Sequence, residues 1–105
     1  MNITLVKNDK LYDINFTLQD ANGVAIDLTS STLLFKAQKE GAAALKFSGS
    51  MAIVEAATGK CKYNVAEANF DDVGRYYGEI EVTFSGGRII TFNDIVINVV
   101  SDLPR

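Results

Sequence analysis

The stretch that decides the fold is "DDVGRYYGEIEVTF", Asp71 to Phe84. From Tyr76 onward its residues alternate. Tyr76, Gly78, Ile80, Val82 and Phe84 fall on one side of an extended chain, and Tyr77, Glu79, Glu81 and Thr83 on the other. Successive strand side chains point to opposite faces, so this is a β-strand with its first set of residues buried and its second in water. Before it stands Asp72-x-Gly74-x-Tyr76. A tyrosine so placed fills the end of a core with its ring and returns its hydroxyl to a backbone group just upstream, the tyrosine corner of two-sheet sandwiches. Asp72 and Gly74 shape the turn ahead of it.

The same period runs through the chain. "YDINFTLQ" sets Tyr12, Ile14, Phe16 and Leu18 against Asp13, Asn15, Thr17 and Gln19. "TLLFKAQK" sends Leu33, Phe35 and Ala37 inward, and "KCKYNV" does the same with Cys61, Tyr63 and Val65. Turn chemistry separates these runs: "DANG" at Asp20–Gly23, "ATGK" around Gly59 and a glycine hairpin at Gly86-Gly87. Asn22-Gly23 supplies the positive φ of a tight turn. "EGAAAL" is too short to nucleate a stable helix and reads as a loop. "LKFSGSMAIVEA" reads as one or two short strands broken near Gly49, and Phe70 is expected to plug one end of the core. "RIITF" and "IVINVV" flank Asn93-Asp94, which suggests a bulge or kink in one long final strand. The expectation is all-β: an immunoglobulin-like antiparallel β-sandwich of about seven to nine strands. A chain of 105 residues is read as a single domain, residues 1–105, with its core over about 3–100. Residues 101–105, with the lone Pro104, read as a tail or the start of a linker.

In an antibody domain the position two after the corner tyrosine is a cysteine, bridged to the facing sheet. Here it is Gly78, and Cys61 is the chain's one cysteine, so no disulfide is possible within the chain. There is no tryptophan either. Gly78 would leave room where the bridge sits, and Phe16, Phe35, Tyr63 and Ile80 would pack in its place. Cys61 reads as a small buried apolar residue. A free thiol fits folding in a reducing cytoplasm.

Composition excludes much chemistry. There is no histidine, which removes the commonest general base, the usual nucleophile–base pair and the commonest metal ligand. Net charge is −3 with no basic stripe, which speaks against nucleic acid as a partner. No apolar run approaches the ~20 residues of a membrane span, and the N-terminus lacks the pattern of a secretory signal. Glu79 and Glu81 stand two apart on one strand, roughly 6–7 Å. Such a pair can serve glycoside hydrolysis, but no second acidic strand faces it, and a solvated face is expected. "DANG" opens like a calcium loop, yet the place of the bidentate glutamate is Ser31, so a hairpin turn is expected. Asp71-Asp72 could join a calcium site but suit a turn and cap better, and Tyr12 with Tyr77 could form a sugar-stacking patch only if the fold brings them together. The expectation is therefore no enzyme, with no catalytic, cofactor-binding or metal residues and no cofactor.

Taken in order, these residues resemble a family: the N-terminal domain of tailed-phage baseplate upper proteins and related prophage structural proteins. Phe16-Thr17-Leu18 with Asp20 and Gly23 match its first strand and turn. Ile26-Asp27-Leu28-Thr29 match its I-D-L-T segment, and Ala56, Gly59 and Tyr63 its A-x-x-G-x-x-x-Y pattern. Gly74, Tyr76, Glu79, Val82-Thr83-Phe84, Gly86-Gly87 and Thr91-Phe92 match the last part. The match runs from about Leu5 to Val100. Asn93 stands where the family often has proline, and family members usually continue into a long C-terminal region, so an excised domain or a short stand-alone relative is expected.

The resemblance implies a virion structural module of the tail or baseplate, without catalysis, that attaches receptor-binding or fibre proteins by protein–protein contacts. Its partners would be other phage tail or baseplate proteins, with self-association left open. It would bind neither nucleic acid nor membrane, and it would fold in the host cytoplasm. Attachment would use the N-terminal arm Ile3–Val6 and the loops around Asn22, Gly41 and Gly86. The alternative is a bacterial surface, adhesin or carbohydrate-binding module of the same architecture.

Overall fold

The computed structural model describes residues 1–102, and the expected tail around Pro104 lies outside the described residues. Eight strands follow in order: β1 Asn2–Val6, β2 Asp13–Thr17, β3 Ser31–Lys39, β4 Phe47–Ser50, β5 Ala52–Glu55, β6 Lys60–Asn64, β7 Gly74–Phe84 and β8 Ile89–Val100. They form a five-stranded sheet, β1-β8-β7-β3-β4, and a three-stranded sheet, β2-β6-β5. In immunoglobulin terms β2, β6 and β5 take the B, E and D places, β3, β7 and β8 the C, F and G places, and β4 adds the C′ strand.

All strand pairs are antiparallel except one. β1 runs parallel to β8, from Asn2 beside Val96 to Val6 beside Val100. Alternation in a short N-terminal strand fixes its buried face but says nothing about which neighbour it joins, so this pair was not legible beforehand. The second difference is the break between β4 and β5. It falls at Met51, where the chain leaves the β3 edge for the β6 edge, and not at Gly49. Gly49 stays in the ladder opposite Phe35. It is glycine because the Tyr63 ring covers it: a Cβ there would lie 2.8 Å from the ring.

The core is built as the alternation predicts. Tyr76, Gly78, Ile80 and Val82 of β7 are buried, while Tyr77 and Arg75 are exposed and Glu79 and Glu81 half-buried. Gly78 does not leave a gap. A Cβ there would meet Ile95 Cγ2 at 3.0 Å and the Phe35 ring at 3.4 Å, so the bridge position is already filled. The two sheets are joined by rings. Phe16 of one sheet stands 5.8 Å, centroid to centroid, from Phe35 of the other, and Phe35 stands 4.9 Å from Tyr63. Contacts continue through Phe47 and Phe70 to Tyr76, the last pair edge to face at 5.5 Å. Each such pair adds about 0.5–1.5 kcal/mol beyond its buried area. Phe70 is the expected plug, fully buried at the end of the sandwich.

The tyrosine corner is present. Tyr76 is fully buried and its hydroxyl donates to the Asp72 carbonyl oxygen at 2.8 Å. Tyr76→Phe removes one hydrogen bond and is expected to cost about 1 kcal/mol. An unchanged denaturation midpoint would show that the bond contributes nothing.

The bulge also lies where expected. Gly78 pairs Ile95 and Ile80 pairs Phe92, so Asn93 and Asp94 both face Glu79. The extra residue switches the inward parity of β8. Ile90 and Phe92 turn inward before it, and Ile95, Ile97 and Val99 after it. An insertion of one residue shifts a period-two pattern by one place. Without it, one half of β8 would present its apolar residues to water.

Three motifs converge at one end of the sandwich. The Gly59 N–H and the Leu28 N–H both donate to the Ala56 carbonyl oxygen, at 3.2 and 2.9 Å. The Leu18 N–H donates to Gly59 O at 2.8 Å, and the Ile26 N–H to Leu18 O at 2.9 Å. Gly59 has φ +71, and Leu28 between these segments is fully buried.

Candidate functional site

The pairing registers place each loop. β2 ends, β3 begins, β7 ends and β8 begins at the end that also holds Gly59, so the loops around Asn22 and Gly86 share that end. The Gly41 loop, between β3 and β4, lies at the opposite end with Phe70 and Asp72. The arm Ile3–Val6 runs along the side of the sandwich as the outermost strand of the larger sheet. The four expected attachment segments therefore fall into three places.

Each loop is shaped by its own sequence. Asp20 Oδ1 accepts the N–H groups of Asn22 and Val24, at 2.8 and 3.0 Å, and Gly23 takes φ +79. That is a turn held by an aspartate side chain, with its carboxylate oxygen occupied by backbone donors. At the glycine hairpin the Phe84 N–H donates to Arg88 O, and the Arg88 guanidinium sits 4.7 Å from the Phe84 ring centre.

The acidic residues go to structural places. Glu81 pairs with Lys36 at 3.0 Å across β7 and β3. Glu79 lines a hollow of about 100 Å³ with Lys36, Gln38, Leu45 and Tyr77 on the outer face of the larger sheet. Asp71 accepts from Lys46 at 2.6 Å and Asp72 from Lys39, tying the corner turn to the β3–β4 region. Among the described residues no group of three or more His, Cys, Asp or Glu stands close enough to hold a metal ion. Tyr12 and Tyr77 do not meet. Tyr12 packs against the core, while Tyr77 is exposed on the outer face of the larger sheet. The Tyr12 hydroxyl is buried without a hydrogen-bond partner among the described residues. Nothing in the sequence pattern marks it.

The electrostatics of the turns carry a pH dependence. Hydrogen bonds from Lys46 and Lys39 hold the Asp71 and Asp72 carboxyls below the usual range. Asn64 and then Lys62 do so for Asp13, and Thr29 for Asp27. A carboxyl that is more acidic when folded stabilises above its unfolded pKa, near ~4, and the contribution fades as pH falls through the folded value. All four groups are solvated, so the effect is small. The urea midpoint is expected to drop between pH 6 and pH 3, and Asp72→Asn to reduce that drop. A midpoint that rises on acidification would contradict this.

Cys61 is buried, and burial alone pushes its thiol up to about 11. The thiolate is the reactive form, so the folded protein is expected to resist thiol reagents at pH 7 and to label on unfolding. Fast stoichiometric labelling of the folded chain would contradict the burial of Cys61.

The family description "BppU N-terminal domain" matches residues 1–105. The chain belongs to that family. It is a phage baseplate structural domain, and its place is the virion tail. No curated protein is similar enough to the chain to be matched. Among solved structures, murine CRIg is similar at 12% identity and a TM-score of 0.41, over 95% of this chain and 92% of that one. A likeness that loose carries no weight, and the immunoglobulin-like assignment rests on strand order and the tyrosine corner. No helix among the described residues is long and apolar enough to cross a membrane.

Proposed function

We propose that this baseplate domain is a non-catalytic attachment module that joins receptor-binding or fibre proteins to the tail by protein–protein contact. It acts as one domain over residues 1–105 and folds in the reducing cytoplasm of the host, to which a buried free thiol is suited. The observation that carries this is the outer edge of β1. The parallel ladder starts with Val96 N–H on Met1 O and ends with Lys7 N–H on Val100 O. Between them the main-chain groups of Ile3 and Leu5 face β8, and those of Asn2 and Thr4 face outward, with no strand paired to them among the described residues. An exposed strand edge is a template for another chain. The loops at Asn22 and Gly86 flank one end of the sandwich and extend the contact surface there.

The test is co-expression with each tail protein encoded beside it, followed by light scattering of the purified mixture. A stable complex with at least one of them is expected, weakened by Thr4→Pro, which removes an outward N–H that no neighbouring strand uses. A chain that joins none of them but is retained by immobilised glycans would overturn the proposal in favour of a carbohydrate-binding module.

A further inference from the structure

The smaller sheet has a free edge of its own, and its geometry is more specific. Tyr12 O accepts the Val65 N–H at 2.8 Å, and the Leu18 N–H donates to Gly59 O at 2.8 Å. Both pairs continue the β2–β6 register, Asp13 with Asn64 through Thr17 with Lys60. Antiparallel ladders alternate hydrogen-bonded and non-bonded pairs. Ile14 and Phe16 therefore spend their main-chain groups on β6. Asp13, Asn15 and Thr17 point theirs away from it. Gln19 does likewise, because its antiparallel bridge to Ala25 is a non-bonded pair, flanked by the Ile26 N–H on Leu18 O and the Asp20 N–H on Val24 O. Four consecutive outward residues thus offer N–H and C=O groups along one line. At about 3.3 Å per residue that line is about 20 Å long, the length of an ordinary strand.

Beside this edge the sandwich is not closed. A groove of about 250 Å³ opens between the sheets, lined by Phe16, Leu18, Ile80, Phe92 and Ile95, with Asp20 and Asp94 among its polar residues. The Met1 ammonium donates to the Asp94 main-chain oxygen, at 2.7 Å. The Asp94 carboxylate has no hydrogen bond or ion pair among the described residues. The groove therefore offers an apolar floor, acidic groups beside it and a row of amides with no strand paired to them among the described residues. An extended chain matches all three at once. Its backbone pairs with β2, its alternate side chains enter the groove, and a cationic side chain meets Asp94.

We propose that the free edge of β2 takes up an extended segment of another baseplate polypeptide as an added strand, with apolar residues at alternate positions and a lysine or arginine placed against Asp94. The class of partner rests on the attachment reading. The mode of binding does not, and the two fail separately.

The probe is a synthetic seven-residue peptide, one lysine followed by alternating valine and threonine, titrated into the isotope-labelled protein. Hydrogen-exchange protection of the Asp13, Asn15, Thr17 and Gln19 amides is expected to rise about tenfold or more at saturation, while Ile14 and Phe16, already bonded to β6, change little. Methylating alternate peptide nitrogens should abolish binding. Asn15→Pro removes an outward N–H that the ladder does not use, so it should weaken binding about tenfold at unchanged Tm. Asp94→Asn should weaken the lysine peptide but not one carrying norleucine instead. No shift at millimolar peptide, protection along β1 instead, or binding that survives methylation would each overturn the proposal. So would a free protein that dimerises through β2, since the edge would then serve a second copy. Complexes with tail proteins that survive Asn15→Pro would overturn it while leaving the attachment function intact.

Discussion

Replacing Phe35 with alanine is expected to lower stability by about 3–5 kcal/mol, the cost of a large-to-small change at a site that cannot collapse. Phe35 is fully buried, and its ring meets three others: Phe16 at 5.8 Å and Tyr63 at 4.9 Å on the facing sheet, and Phe47 at 6.0 Å on its own. It also closes over the space beside Gly78, where an antibody domain carries its bridge. The surrounding groups sit on strands held by their own ladders, so a cavity there is not filled by a small shift. Against a total stability of about 5–15 kcal/mol, such a loss leaves a marginal fold. The check is urea denaturation followed by circular dichroism. Phe35→Leu should cost clearly less, and a Phe35→Ala protein within 1 kcal/mol of the parent, roughly the worth of one hydrogen bond, would show that the rings do not join the sheets.

Gly59→Ala is expected to cost about 3 kcal/mol or more, by a different route. Its φ of +71 disfavours any residue with a Cβ by about 1–2 kcal/mol. The added methyl would also press on the Leu18 carbonyl oxygen and lie 3.0 Å from that of Ile26. These are backbone atoms, and overpacking against them adds about 1–3 kcal/mol. Gly23 separates the two causes. It has φ +79 but nothing within 4 Å of where its Cβ would stand. Gly23→Ala should therefore carry the conformational cost alone. Equal losses from the two substitutions, measured by denaturant midpoint, would show that the close approach at Gly59 does not matter.

The parts of the fold legible in sequence are those governed by period and turn chemistry. β2, β3, β6 and β7 alternate cleanly, and each buries the side that the alternation assigns. The corner at Tyr76 and the bulge at Asn93-Asp94 were legible because each is encoded within a few neighbouring residues. Partner choice was not, because it depends on the whole topology. The parallel placing of β1 and the crossing at Met51 are facts about which sheet a strand joins. Gly49 misled for a related reason: it reads as a breaker, yet the constraint on it comes from Tyr63, fourteen residues on.

For the candidate site, the loops at Asn22, Gly41 and Gly86 were readable as turns, but not their division between opposite ends. The free edge of β2 had no sequence signature at all. Its residues alternate as well as those of any interior strand, and only the pairing of its neighbours shows that one side is left open.

The parallel pair β1–β8 has a mechanical consequence. Met1 and Val100 lie at opposite ends of this pair, and the two strands run the same way. Tension applied between those points slides β1 and β8 past each other along their length. The bonds from Val96 N–H on Met1 O to Lys7 N–H on Val100 O are then loaded together, not opened one at a time as in a zipper. Resistance to such a pull is set by the unfolding rate and not by equilibrium stability. A tail component that carries load when the virion meets its host would gain from that geometry without any change in its core.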